Sequence, residues 1–96
     1  MNDGFIIKNV AEDLVDMYLD GCIASVKEMC ACSRCRADIK ALALNRFPPQ
    51  YVVTDIGEAL VRASILSNQF EADVITAIMS AIIIVKNKPR HREKVF

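Results

Sequence analysis

Residues 74–85 read VITAIMSAIIIV, with Thr76 and Ser80 the only polar side chains in the run. Asp73, Thr76 and Ser80 follow at spacings of three and four, so they share one thin line along a helix, which Ile84 then interrupts. A surface helix needs only one apolar face, whereas a helix apolar nearly all round must be covered on nearly all sides. Three other short helices cover it poorly, so a second copy of the chain is the economical cover. A helix placed at the centre of a single chain is the other arrangement that satisfies the pattern. The run falls well short of the roughly 20 apolar residues that span a bilayer, so no membrane insertion is expected.

Outward from this run, the start and stop signals mark four helices. Asn68 with Glu71 opens the last, about Gln69 to Lys86, and Pro89 ends it. Thr54 or Asp55 caps a third, about Asp55 to Leu66, with Glu58 placed for a capping box. Before it, Arg46-Phe-Pro-Pro-Gln50 breaks the chain and Tyr51-Val-Val53 reads as extended. A second helix, about Arg36 to Asn45, places Ile39, Leu42 and Ala43 on one face. The first runs from about Asn9 to Met29. Asn9 and Glu12 form its start signal, and Val15, Tyr18, Cys22, Val26 and Met29 line its apolar face.

The 96 residues suffice for a single domain over 1–96, and three glycines and three prolines are too few for a strand-rich small fold. The expected class is all-α, a compact four- to five-helix domain forming a homodimer. Net charge is zero but unevenly placed. Glu12, Asp13, Asp16, Asp20 and Glu28 crowd the first helix, while Lys86, Lys88, Arg90, Arg92 and Lys94 make a basic tail at about 87–96. Such a tail is either a solvated terminus or an attractor of phosphates. Its cation density is far below that of a duplex-binding surface, so DNA is not an expected partner. The opening MNDGFIIKNV lacks a basic segment followed by an apolar one, which gives an expectation of cytoplasmic location and reduced thiols.

Cys30-x-Cys32-x-x-Cys35 is the sharpest local signal. Zinc takes about four soft or borderline ligands in a tetrahedron. Three thiols within six residues can wrap one ion where a helix end meets a new helix start. The positive end of the second helix would favour thiolates there. Cys22, roughly 12 Å away if the first helix persists, is a poor fourth ligand and reads as a buried thiol. His91, the only histidine, lies just past the last helix and is the other candidate; an exposed tail histidine is its plain reading. No Gly-rich phosphate loop, His-x-x-x-His or Ser/His/Asp arrangement is present, so an enzyme is not expected.

Taken in order, Cys30-x-Cys-x-x-Cys-x-x-Asp-Ile-x-Ala-Leu-Ala-Leu-Asn45, Pro48-Pro-x-Tyr-Val-Val-Thr54, Gly57-Glu58 and Lys88-Pro-Arg-His91 resemble the late competence development protein family, ComFB. The likeness runs from the first helix to His91. The resemblance implies an all-helical homodimer of the bacterial cytoplasm. In some members it implies zinc on a cysteine cluster, and in some a receptor for cyclic dinucleotides acting on competence, motility or pili. It carries Cys30, Cys32 and Cys35 over as metal ligands. The sequence departs from the pattern near the end of the last helix, where Val85 stands about where a fourth cysteine is expected; His91 or water is then the substitute. For the nucleotide, Tyr51 could stack on a base, Asn45 could read a base edge, and Arg34, Arg36, Arg46 or Arg90 could meet phosphates. Each also has a structural use: Asn45 as a helix C-cap and Tyr51 as an anchor with a wet hydroxyl. A zinc-stabilised adaptor with an unidentified protein partner and no nucleotide ligand is the alternative.

Overall fold

The computed structural model describes residues 5–65 and 68–88. Among these, four helices and one short strand pair follow the order β1 (Lys8–Asn9), α1 (Val10–Ser25), α2 (Ser33–Leu44), β2 (Tyr51–Val52), α3 (Asp55–Ile65) and α4 (Asn68–Asn87). The fold is mostly helical, and the all-α expectation is corrected by one antiparallel pair in which Lys8 faces Val52 and Asn9 faces Tyr51.

Asn9 begins α1 as the sequence suggests. Its Oδ1 accepts the Ala11 N–H at 3.1 Å, satisfying one of the unpaired donors of the first turn. The same oxygen accepts the Gln50 N–H at 2.8 Å, which fastens the start of α1 to the segment after the two prolines. Thr54 plays the same part for α3, its Oγ1 accepting the Gly57 N–H at 3.0 Å. The glutamates placed for capping boxes act elsewhere. Glu12 receives Lys40 Nζ at 2.9 Å, and Glu58 receives Lys8 at 3.1 Å and Arg62 at 2.8 Å. Each of these carboxylates has a cation within reach, and an N–H of its own helix is the weaker attraction.

α4 packs against both α1 and α2. The shared core holds Val15, Leu19 and Ile23 of α1, Cys35, Ile39 and Ala43 of α2, and Val74, Ala77, Ile78, Ala81, Ile82 and Val85 of α4. A smaller group, Val10, Leu14 and Val52 with Val61 and Phe70 against it, anchors α3. α1 and α2 thus cover one wide face of α4, and Ile83 and Ile84 stay exposed at 60% and 56%. No helix among the described residues is long and apolar enough to cross a membrane.

Candidate metal centre and ligand clefts

The cysteine motif folds as a turn between two helices. α1 stops at Ser25, whose hydroxyl donates to the Cys22 carbonyl at 2.7 Å, and the Val26 N–H donates to the Ile23 carbonyl at 3.2 Å. The expected continuation to Met29 is corrected here: Glu28 takes a φ of 64°, a left-handed conformation that no helix can propagate. The reversed chain then presents Cys30. Cys32 is the N-cap of α2, its Sγ accepting the Cys35 N–H at 3.4 Å, which is why α2 begins at Ser33. A cap and the residue three beyond it are one turn apart, so the Cys-x-x-Cys spacing brings both sulfurs together.

The sulfurs of Cys30, Cys32 and Cys35 lie within 4.8 Å of one another, and the group could hold a metal ion. Cys35 is fully buried, while Cys30 and Cys32 are half-buried. Burial pushes the Cys35 thiol up to about 12, helped by hydrogen bonds with Cys32 and Cys30 and by the charge that their thiolates would carry. A bound cation would reverse that balance, because thiolates are the ligating form. Cys22 stays in the core outside the group, its thiol pushed up by burial alone. The end of α4 is fastened beside the turn by Lys86 Nζ, which donates to the Lys27 carbonyl at 3.0 Å. Near that end the buried side chain is Val85, which offers no donor atom. His91 and Arg90 lie outside the described residues.

The other sequence-predicted ligand residues are spread along the fold. Arg36 grips Asp20 through Nε at 2.7 Å and Nη2 at 3.2 Å, a two-point bond tying α2 to α1. This pairing raises the Arg36 pKa and holds the Asp20 carboxyl below its usual range. Arg34 is paired with Asp38 at 3.1 Å on its own helix. Asn45 is the exposed C-cap of α2, and nine residues of helix place it roughly 13 Å along the axis from Arg36. Tyr51 lies on β2, 61% exposed.

Arg46 stands where two clefts meet. One, of 290 Å³, is lined by Arg46, Phe47, Asp73, Thr76 and Ala77. The other, of 310 Å³, is lined by Leu42, Arg46, Ala77, Ala81 and Ile84. Among the described residues Arg46 is exposed and makes no ion pair. Phe47 is steadied by Phe70, ring centroids 5.7 Å apart at 50°. Two members of the thin polar stripe of α4, Asp73 and Thr76, form a wall of the first cleft, a use that the spacing of the stripe alone does not reveal.

The comparisons agree on a family. The family described as Late competence development protein ComFB matches residues 8–89. The competence protein ComFB of Bacillus subtilis (strain 168) is 26% identical over 80 residues, covering 83% of this chain and 78% of that relative. The solved structure of the late competence protein ComFB from Bacillus subtilis superposes with a TM-score of 0.79 at 22% identity, over 95% of this chain and 100% of that one, a likeness of fold. The match over residues 8–89 spans most of the chain, which therefore belongs to the late competence development protein family, ComFB.

Proposed function

We propose that the protein is a non-enzymatic regulatory module of the cytoplasm that binds a cyclic dinucleotide as a homodimer and passes the signal to a protein partner. The observation that carries this reading is the pair of clefts meeting at Arg46. A cyclic dinucleotide has two phosphates and two flat bases, so it calls for a guanidinium, an aromatic or apolar face, and polar groups at a base edge. Arg46, Phe47 with Leu42 and Ile84, and Asp73 with Thr76 supply these in turn. Each cleft is at the small end of ligand pockets, about 300 Å³ and upward, enough for one base with its phosphate. Asn45, next to Arg46 in the chain, is the flanking polar contact, and the exposed Tyr51 on β2 is a base platform outside the two clefts.

The homodimer is supported by apolar surface. Phe5, Ile6 and Ile7 before β1, Val53 after β2, and Ile56 and Leu60 on α3 are each more than half exposed. Side chains of this kind on neighbouring segments mark a surface that is covered in the working assembly.

The test is calorimetry of purified wild-type protein with cyclic di-AMP and cyclic di-GMP at low and moderate salt. Saturable binding that weakens with salt is the expected result. Folded, dimeric protein that binds neither nucleotide overturns it and favours the second reading, a metal-stabilised dimeric adaptor, for which the three-cysteine group is the supporting observation.

A further inference from the structure

We infer that Cys32 and Cys35 form a reversible thiol–disulfide exchange site, in which the half-buried Cys32 meets a small-molecule disulfide and the buried Cys35 closes an internal bond. The inference needs no bound ion and stands apart from both readings above.

The start of α2 places the pair. Cys32 is the N-cap, with an extended backbone, and its carbonyl accepts the Arg36 N–H at 2.9 Å, so the first helical turn closes on it. Cys35 stands three residues on, and its N–H donates to the Cys32 Sγ at 3.4 Å. Residues three apart on a helix have Cα atoms about 5 Å apart, inside the window of about 4.4–6.8 Å that a disulfide bridges. The two sulfurs already lie within 4.8 Å of each other. Closing to bonding distance is therefore a matter of side-chain rotation, with the backbone turn already made. Cys30 shares the cluster but reaches it from the irregular turn before α2, so no helical turn sets its distance from Cys35.

Burial divides the roles. Cys32 is half-buried between the exposed Ala31 and Ser33, whereas Cys35 is fully buried. A dissolved disulfide therefore meets Cys32 first. Cys35 needs no access of its own, because its target is the sulfur of Cys32. Cys22 lies in the core outside the group and takes no part.

The exchange balances with a low-molecular-weight disulfide as the oxidant. The Cys32 sulfur attacks one sulfur of that disulfide, the S–S bond breaks, and one half leaves as a thiol with the Cys32 proton. The Cys35 sulfur then attacks the Cys32 sulfur of the mixed disulfide, and the second half leaves as a thiol with the Cys35 proton. Two protein thiols are oxidised to one disulfide, and one small disulfide is reduced to two thiols. Closure takes two of the three clustered sulfurs away from any ion the group holds, since thiolate is the ligating form. In a reducing compartment such a bond is transient and follows the local thiol balance.

The experiment uses the full chain, reduced and freed of metal by a chelator, incubated anaerobically with oxidised glutathione. Remaining thiols are blocked by alkylation, and the linkage is read by intact mass and peptide mapping. The expected product is lighter by two hydrogen atoms before alkylation. It should have Cys32 joined to Cys35, Cys22 and Cys30 alkylated, and full reversal by dithiothreitol. Cys35→Ser should halt at a glutathione adduct on Cys32 while circular dichroism keeps its helical signal, and Cys22→Ser should form the same bond as wild type. Should Cys35→Ser fail to fold, the wild-type map decides alone. Folded wild type that keeps all its thiols in excess oxidised glutathione overturns the inference. So does a glutathione adduct that persists on wild-type Cys32, a bond that joins Cys30 to either partner, or a bond between chains.

Discussion

The side chain of Asn9 holds the backbone of Gln50, 41 positions away, through a 2.8 Å hydrogen bond from the Gln50 N–H to Oδ1. The same oxygen caps α1, so one short polar side chain starts a helix and locates the β1–β2 pair. Asn9→Ala should destabilise the protein by about 1–2 kcal/mol, the range for a lost N-cap, with the orphaned Gln50 N–H adding to the upper end. Asn9→Asp, which keeps the acceptor, should cost less. Urea unfolding of the two variants measures the difference, and equal costs would show that the acceptor is not what matters.

Glu28 occupies a left-handed conformation, φ 64°, in the turn that delivers Cys30. A residue with a Cβ is penalised there by roughly 1–2 kcal/mol. Glu28→Gly should therefore raise stability by about 1 kcal/mol after the greater freedom of glycine in the unfolded chain is deducted. Thermal unfolding checks it, and a lower midpoint would contradict the assigned strain.

Alkaline pH should unsettle the metal-free, reduced protein. The folded pKa of Cys35 is raised, from an ordinary 9.0 to about 12, first by burial and then by Cys32 and Cys30. The neutral thiol is thus the form the fold prefers. This contribution is fully present below pH 9 and is lost as pH rises toward 12. At the acid end the signs reverse. Asp20, beside Arg36, and Glu58, beside Arg62 and Lys8, have lowered pKa values, so their contribution is present at neutral pH and fades as pH falls below about 4. A stability–pH curve on the metal-free protein should show both limbs. Cys35→Ala should shrink the alkaline limb without abolishing it, because Cys22, Lys8 and Lys40 also have raised pKa values and lose their contribution as pH rises.

Much of the helical frame was legible in local spacing. Asn9 and Thr54 act as caps where a short polar residue precedes an apolar repeat, and Pro48 with Pro49 divides α2 from β2. The proximity of the three cysteines came from a helix end meeting a helix start. The features that were not legible depend on partners distant in sequence. The strand pair is two residues long on each side and lacks an alternating pattern, so only the closure of the Asn9–Gln50 contact creates it. The apolar spacing through Val26 and Met29 suggested a longer α1, yet both side chains reach the core from the turn beyond it. Arg36 looked available for a phosphate because Asp20, 16 residues back, could not be paired with it from sequence. Arg46 is one of four arginines that the sequence offers for phosphates, and its place at the two clefts depends on the polar stripe of α4 lying against the end of α2.

The exposed aliphatic surface on α3 and the segment before β1 gives the dimer its own test. Light scattering at micromolar concentration should report twice the chain mass. Ile56 is 75% exposed and Leu60 66% exposed, so the double variant Ile56→Glu, Leu60→Glu should give folded monomers, since neither charge is buried within one chain. By contrast Ile78→Asp should unfold the protein, because Ile78 is fully buried and an unpaired charge there costs several kcal/mol. Monomeric wild-type protein would remove the dimer from the account.

The most direct test of ligand recognition sets Arg46 against Arg36. Arg46 is exposed at the meeting of two clefts, and Arg36 is committed to Asp20. Cyclic di-AMP and cyclic di-GMP should be titrated calorimetrically into wild type, Arg46→Ala and Arg36→Ala under one low-salt condition. Arg46→Ala should weaken binding by roughly tenfold or more, as expected for a lost charge-assisted bond worth about 1.5–3 kcal/mol, and Arg36→Ala should leave affinity within a few-fold of wild type. Unchanged affinity in Arg46→Ala, or binding lost in Arg36→Ala alone, would contradict the account.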